Sequence, residues 1–410
     1  MQTYLPLQLL DTDAGKEADR ILRSCVHCGF CTATCPTFLE TGNELDSPRG
    51  RIYLIKEFLE TGKATGVTRT HLDRCLGCQS CETTCPSNVQ YHRLLGIGQG
   101  MLAQTVKPPL LTRLRRGVLL RVLGASRLFA LAVKAGQWFR ALLPASLSLQ
   151  LPGKPEFRAP VFLGDTPERK VILLDGCVQS SLSPDTNNAT AIVLRELGIR
   201  SLRLGNESCC GAMHYHSGQQ PAGLVRARRL IDQLIEELDS GAEAVISTAS
   251  GCGNFIKDYC HVLAEDPGYA DKAARVVAAV RDISEYLADQ DLNPLNVPGN
   301  ETLVFHSPCT LQHGQQLGGQ TEALLTRLGF NVPAVRDSHL CCGSAGTYSL
   351  FQPAMSRALR KNKLAALAKA GQDSKLATAN IGCQCHLAAG AGKPVKHWIE
   401  YLASALDKGD

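Results

Sequence analysis

Hydrophobic and polar positions change their rhythm along this chain, and the changes divide it. Near the N-terminus, EADRILRSC and RIYLIKEFLE carry apolar residues at helical spacing. From Leu111 to Leu143 the pattern is again helical. Arg113, Arg116, Arg127 and Lys134 recur there at spacings of 3, 11 and 7, which predicts one basic face, with Leu114, Val118, Val122 and Phe129 elsewhere around the helix. LPGKPEFRAP (151–160) then reads as a Pro-rich linker. Beyond it, KVILLDG (170–176) and TLVFHSP (302–308) are β-rich runs that end just before a cysteine, and AVISTAS (244–250) and LATANI (376–381) read as later strands. Stretches 187–197 and 320–328 are helical and stop at Gly198 and Gly329, expected C-caps.

The second half is a duplication. Cys309 stands 132 residues beyond Cys177, Cys341 stands 132 beyond Cys209, and Cys383 stands 131 beyond Cys252. LRELGI (194–199) likewise matches LTRLGF (325–330). Three offsets that agree to one residue mark an internal repeat, each copy supplying Cys…Cys-Cys-Gly…Cys. In an open α/β sheet, residues placed where strands end are where ligands bind. Cys260 and Cys385 have no partner at the repeat offset and read as ordinary thiols.

Composition adds one outlier. The 410 residues are 44% hydrophobic and 20% charged, as in ordinary globular chains, but include 18 cysteines. The first twenty residues lack the basic flank, apolar stretch and small-residue cleavage site of a secretory signal, and no apolar run is long enough to span a bilayer. Reduced thiols are then expected, and metal ligation is a better reading than a disulfide framework.

Eight cysteines lie between positions 25 and 85. Residues 25–36 and 75–86 each read C-x2-C-x2-C-x3-C-P, the spacing of a [4Fe–4S] ligand loop and not of a zinc finger. Three sulfurs of each loop point inward at one cube, and the fourth begins the departing segment and reaches the other. Cys25, Cys28, Cys31 and Cys85 are thus expected to hold one cluster, and Cys35, Cys75, Cys78 and Cys81 the second. Gly29 and Gly77 let backbone amides approach the sulfurs, while Pro36 and Pro86 redirect the chain. Two adjacent one-electron centres make a relay. Cys177, Cys209, Cys210 and Cys252, with Cys309, Cys341, Cys342 and Cys383, are candidate ligands of a further cluster or metal.

The expected architecture is α+β and multidomain: an α-helical ferredoxin-like domain with two [4Fe–4S] clusters (1–100), a basic amphipathic segment and linker (101–165), and a duplicated Cys-Cys-Gly α/β domain (166–295 and 296–410). CVHCGFCTATCPT, CETTCPS, DSPRGRIYLIK (46–56), SHLCCGSAGTYSL (338–350) and TANIGCQ (378–384) resemble the iron–sulfur subunits of bacterial glycolate oxidase (glycolate dehydrogenase). Lactate and anaerobic glycerol-3-phosphate dehydrogenase subunits and heterodisulfide reductases are the wider circle. The resemblance implies a hetero-oligomer in which FAD-containing partner subunits oxidise glycolate to glyoxylate, or D-lactate to pyruvate. This chain would pass the electrons towards the respiratory quinone pool, as a peripheral subunit at the cytoplasmic face of the inner membrane. The heterodisulfide reductase motif ends in C-x-x-C. Here Ala249 and Asn380 replace the first cysteine of that pair, which argues against a five-thiolate cluster and against disulfide reduction.

Charge points the same way. The net +5 hides a belt, residues 86–155, with ten basic residues and no acid, which leaves −5 for the rest. Such a belt suits an anionic membrane surface or an acidic partner, and it lacks the aromatic interleaving of a nucleic-acid binder. G-I-G-Q-G (96–100) is no dinucleotide fingerprint, and there is no flavin motif, so the two-electron step is expected in partner subunits. His27, His306, His313 and His339, near cysteines, are expected to pack or to hydrogen-bond a sulfur.

Overall fold

A computed structural model describes residues 1–142, 151–160, 167–204 and 209–406. The N-terminal domain rests on three helices: α1 (Asp13–Ser24), α2 (Pro48–Thr61) and α3 (Tyr91–Thr105). Thr12 caps α1 by accepting from the Gly15 N–H, and Ser47 caps α2 through Gly50, with Pro48 in the first position, where no N–H is needed. Their apolar faces meet in one core of Ala18, Ile21, Leu22, Ile55, Phe58 and Leu94, against which Cys25 and Cys81 are packed.

The helix expected to run unbroken from Leu111 is two helices, α4 (Leu110–Leu123) and α5 (Ser126–Trp138), and Leu143 lies outside the described residues. The break is at Gly124. A Cβ there would sit 2.4 Å from His214 Cε1, and Arg226 donates to the Gly124 carbonyl at 2.5 Å, so the chain must bend to dock on the first Cys-Cys-Gly repeat. The Pro-rich stretch is likewise tied down. The Glu156 and Phe157 N–H groups donate to the Asp185 carboxylate, and Phe157 is buried.

Two parallel sheets make up the repeats. The first has strands β1 (Lys170–Leu173), β2 (Arg200–Arg203), β3 (Val245–Ser247) and β4 (Val280–Asp282) in the order β2-β1-β3-β4. Helices α6 (Pro184–Glu196) and α7 (Gln220–Asp239) make the crossovers, α8 (Ser250–Lys257) leaves β3, and α9 (Ile283–Ala288) leaves β4. The second has β5 (Leu303–His306), β6 (Lys375–Thr378) and β7 (Val395–His397), with α10 (Gln320–Arg327), α11 (Pro353–Ala370), α12 (Ile381–Ala391) and α13 (Trp398–Leu406). The counterpart of β2 has shrunk to a single bridge, Thr302–Asn331; Pro333, two residues on, has no N–H to extend a ladder. The expected strands 244–250 and 376–381 are shorter than read, because α8 and α12 begin within or directly after them.

The two sheets are not separate bodies. One core runs through both, joining Val171, Leu173, Val193 and Leu194 of the first repeat to Leu303, Phe305, Trp398 and Leu402 of the second. Helix α13, the last of the second repeat, lies on α6 of the first, where Thr186 donates to Glu400 at 2.7 Å.

Candidate functional site

In the N-terminal domain the two loops face each other and exchange their last cysteines. The sulfurs that would repel a charge on Cys25 are those of Cys85 and Cys28, and burial, the larger effect, also pushes its thiol up. Burial likewise lifts Cys31 to about 11, with Cys25, Cys35 and Cys85 beside it. Cys81 is surrounded by Cys78, Cys75 and Cys35, and one small cavity is walled by Cys35, Cys75, Cys78 and Cys81. A thiol raised in this way stays protonated alone and becomes a thiolate when a metal cation displaces the proton. Both sets fit a four-iron cluster on soft thiolate donors. Gly77, with a φ of +62°, directs its N–H to Cys75 Sγ at 3.4 Å, as the sequence predicts for an amide approaching a ligand sulfur.

Beneath Cys35 lies a group of charges the sequence reading missed. Asp46 is fully buried and accepts from His71 Nδ1 (2.8 Å) and Arg74 (3.1 Å), and its carboxylate faces Arg51 at 3.5 Å. Arg51, also buried, donates to Thr37 Oγ1 at 3.1 Å and to the His71 carbonyl at 2.8 Å, and its Nη1 stands 4.0 Å from Cys35 Sγ. A guanidinium in low dielectric next to a thiolate favours added negative charge at the cluster, and so raises the ease of reduction. The available signal was one acid and two arginines within the six residues of DSPRGR.

Each repeat gathers its four cysteines at the carboxyl ends of its strands. In the first, the thiol of Cys177 meets Cys209, and Cys210 meets Cys252. The Cys209 thiol is held below its ordinary value by the hydrogen bond from Cys177 and by the Gly211 amide and Arg226, while Cys177 and Cys210 are pushed up. In the second, Cys309 Sγ and Cys341 Sγ are 3.8 Å apart, and Cys342 joins Cys341 to Cys383. Both Cys-Cys pairs turn on a left-handed glycine, Gly211 at φ +91° and Gly343 at φ +90°. A Cβ on Gly211 would meet the Gly223 carbonyl at 2.3 Å, so the third letter of Cys-Cys-Gly is fixed by space as well as by angle. Cys252 and Cys383 stand in the first turn of α8 and α12. Asn380, at the position of the missing C-x-x-C cysteine, donates to Cys383 Sγ at 3.6 Å. Cys260 is exposed, while Cys385 is partly buried and burial pushes its thiol up to about 12.

His306 is buried, in keeping with a packing role. It is the last residue of β5, only 2% exposed, and its Nε2 has no hydrogen-bond partner. A buried polar atom left so costs about 1–3 kcal/mol. Burial, with Lys363 and His386 adding, holds the ring neutral. His313, by contrast, is fully engaged, pairing with Thr83 Oγ1 at 2.9 Å and with the His339 carbonyl at 2.9 Å.

A single cleft of about 2650 Å³ connects these groups, lined by Cys75 and by the four thiols of each repeat. The second repeat is seated directly on the second N-terminal loop. Cys78 neighbours Cys309 and Cys341, and Tyr348 donates to the Arg74 carbonyl at 3.0 Å. The α4–α5 hairpin at the rim presents Leu111, Leu114, Val118, Leu131 and Trp138 outward, Trp138 being 88% exposed, beside exposed Arg115, Arg121, Arg127 and Lys134. The expected basic face is only partly free, since Arg116 turns inward to Asp73 (3.7 Å) and over the Phe351 ring. Among the described residues no helix is long and apolar enough to cross a membrane.

Comparison with known proteins agrees with this layout. A family described as a 4Fe-4S dicluster domain matches residues 21–89, and a cysteine-rich domain family matches 171–257 and again 303–388. The chain is 48% identical to the glycolate oxidase iron-sulfur subunit of Escherichia coli K12 over the whole of both. It is 31% identical to the probable glycolate oxidase iron-sulfur subunit of Bacillus subtilis, covering 88% of this chain and 87% of that one. At 26% identity, one of the subunits of the fumarate reductase (CoM/CoB) of Methanothermobacter marburgensis matches 89% of this chain over 67% of its own length. A one-electron iron–sulfur domain joined to two Cys-Cys-Gly repeats, and matched end to end by a subunit of that name, places this chain in the family of glycolate oxidase iron–sulfur subunits.

Proposed function

We propose that this chain is the electron-carrying subunit of a complex whose FAD-containing partners oxidise glycolate, with D-lactate as a second substrate. Oxidising the carbinol removes two electrons and two protons, and a flavin accepts them as a pair; iron–sulfur clusters carry electrons singly. Cys25, Cys28, Cys31 and Cys85 hold one cluster, and Cys35, Cys75, Cys78 and Cys81 the other. The observation that carries this reading is the exchange of Cys35 and Cys85 between the loops, which forces two one-electron centres side by side. Arg51 and the Asp46 group would set the second cluster apart in potential, so that electrons run one way. The thiols of the repeats form a further cluster or metal site across the cleft, beside Cys78. The α4–α5 hairpin, apolar and basic together, would seat the complex on the cytoplasmic face of the inner membrane, where quinone takes the electrons.

The test is the intact complex, purified without oxygen and followed by low-temperature EPR. Glycolate should reduce two interacting clusters, and Cys35→Ser and Cys85→Ser should each abolish a different one. Clusters that stay oxidised under glycolate while the flavin is reduced would remove the relay. Replacing Arg115, Arg121, Arg127 and Lys134 with Gln should release the complex from membranes, and full retention would discard the membrane seat.

A further inference from the structure

His306, Cys342 and Cys383 come together more tightly than any other set of metal-binding side chains among the described residues. One donor atom from each lies within 4.8 Å of the other two, and all three residues are buried. The eight N-terminal cysteines include no such trio, as suits a cube whose corner irons spread their thiolates apart. The four thiols of the first repeat include none either. Around a single tetrahedral ion, with metal–sulfur bonds of about 2.3 Å and metal–nitrogen bonds of about 2.0 Å, neighbouring donors stand roughly 3.5–3.8 Å apart. A small adjustment of the trio would reach the spacing of one ion, and the His306 ring, whose Nε2 has no hydrogen-bond partner, can offer the lone pair such an ion requires.

Two further observations point to a third thiolate. The Cys309–Cys341 pair adjoins the trio, with Cys342 neighbouring both of its sulfurs. Lys363 is buried beside the same sulfurs, its ammonium held by the carbonyls of Asp337 and Ser338 at 2.8 and 3.2 Å. A divalent ion with two thiolates is neutral, whereas with three it carries a single negative charge for which a buried ammonium is the counterion. The first repeat also pairs two thiols, Cys177 and Cys209, and brings Arg226 to Cys209, but it has no counterpart of His306 or Lys363. Leu174 stands where His306 does, three residues before the first cysteine, and Ile231 stands where Lys363 does, both buried.

We propose that the second repeat holds one divalent cation of the zinc type on His306, Cys342, Cys383 and a thiolate from the Cys309–Cys341 pair. This rests on reading the repeats as ligand sites, and not on the electron relay. The ion has no redox role of its own, so it would fix the surface on which the second N-terminal loop sits.

The complex, purified without oxygen, would be analysed for zinc, iron and sulfide, then stripped and titrated with Co²⁺ alone. One zinc per chain is expected beyond the roughly eight irons of the two cubes, and Co²⁺ should give tetrahedral bands with thiolate charge transfer. His306→Leu copies the first repeat and keeps the volume apolar, so it should fold. It should weaken Co²⁺ binding by roughly 100-fold or more, with the EPR of the N-terminal clusters unchanged as the sign of an intact fold. His306→Cys should restore binding with stronger charge transfer. Zinc-free protein, an unaltered Co²⁺ affinity in His306→Leu, or about twelve irons per chain with an EPR signal shifted by that substitution would each overturn the single ion. Failure of the relay would show separately, as N-terminal clusters that glycolate does not reduce.

Discussion

In the first repeat the thiols sit among Leu174, Ile231 and Phe255, all buried, with Arg226 reaching Cys209 from α7; in the second, the positions of those three apolar residues are His306, Lys363 and His386. Around the cysteines the backbone follows the same plan on both sides. Each repeat places its first cysteine after the first strand, turns its Cys-Cys pair on a left-handed glycine and starts a helix at its last cysteine. Duplication therefore kept the frame and the sulfurs, and divergence altered the medium around them. At these three positions an apolar side chain disfavours net charge, while an imidazole and an ammonium accept it. Two sites with one ancestral geometry are thus suited to different contents.

The strongest test of that contrast exchanges the linings. Ile231→Lys would bury an ammonium with no partner and should cost about 4–5 kcal/mol. Lys363→Ile removes a charge but orphans only two carbonyls, about 2 kcal/mol. Both are read from urea midpoints, and equal losses would mean the two linings are equivalent after all. Next come the glycines. Gly211→Ala should lose about 4 kcal/mol and Gly343→Ala about 3, since both positions need positive φ but the added methyl meets the backbone at 2.3 Å in the first and 2.8 Å in the second.

Glu400 sharpens the comparison at the seam between repeats. Burial lifts its carboxyl to about 7, against the partial relief of Thr186 and the His397 N–H, while its first-repeat counterpart Glu285 is paired with Lys257. The folded protein thus holds a proton that the unfolded chain releases above its ordinary pKa of 4.5. Stability should fall as pH rises from about 4.5 to 7, by about 2–3 kcal/mol. Glu400→Gln should flatten that slope; an unchanged profile would place the titration elsewhere.

The smallest effect concerns how the N-terminal domain is seated. On the second repeat it docks through neutral contacts, His313 to Thr83 and Tyr348 to Arg74. On the first it docks through His92, where burial opposes the charge but the Asp258 carboxylate at 4.0 Å and a hydrogen bond to Glu82 outweigh it and raise the pKa to about 9. This contribution is complete below 6.5 and vanishes as pH rises through 9. His92→Gln should remove a stabilisation of about 1 kcal/mol at about pH 6 and nothing at about pH 10, measured as the difference in midpoint.

Much of this was legible because cluster ligands must be close in sequence and repeats must keep their offsets. The two x2-x2-x3-P loops, the four cysteines of each repeat and the parallel strands before them all announce themselves locally. The rest is long-range. Gly124 reads as one glycine inside a helical pattern, and only the approach of His214 and Arg226 turns it into a bend. Arg51 and Asp46 look like surface charges until His71 and Arg74 close over them. His306 ends an apolar strand run and looks like packing, and its chemistry depends on two cysteines from other segments.

Helix α13, which closes the core of the first repeat, is synthesised after every other described element. Until it emerges from the ribosome, Val193 and Leu194 on the opposite side of the seam lack their cover. Nascent chains must therefore wait for it before either repeat is finished. Iron delivery to the early loops can precede that moment, but a truncation that removes this helix would leave both repeats open and prone to aggregation.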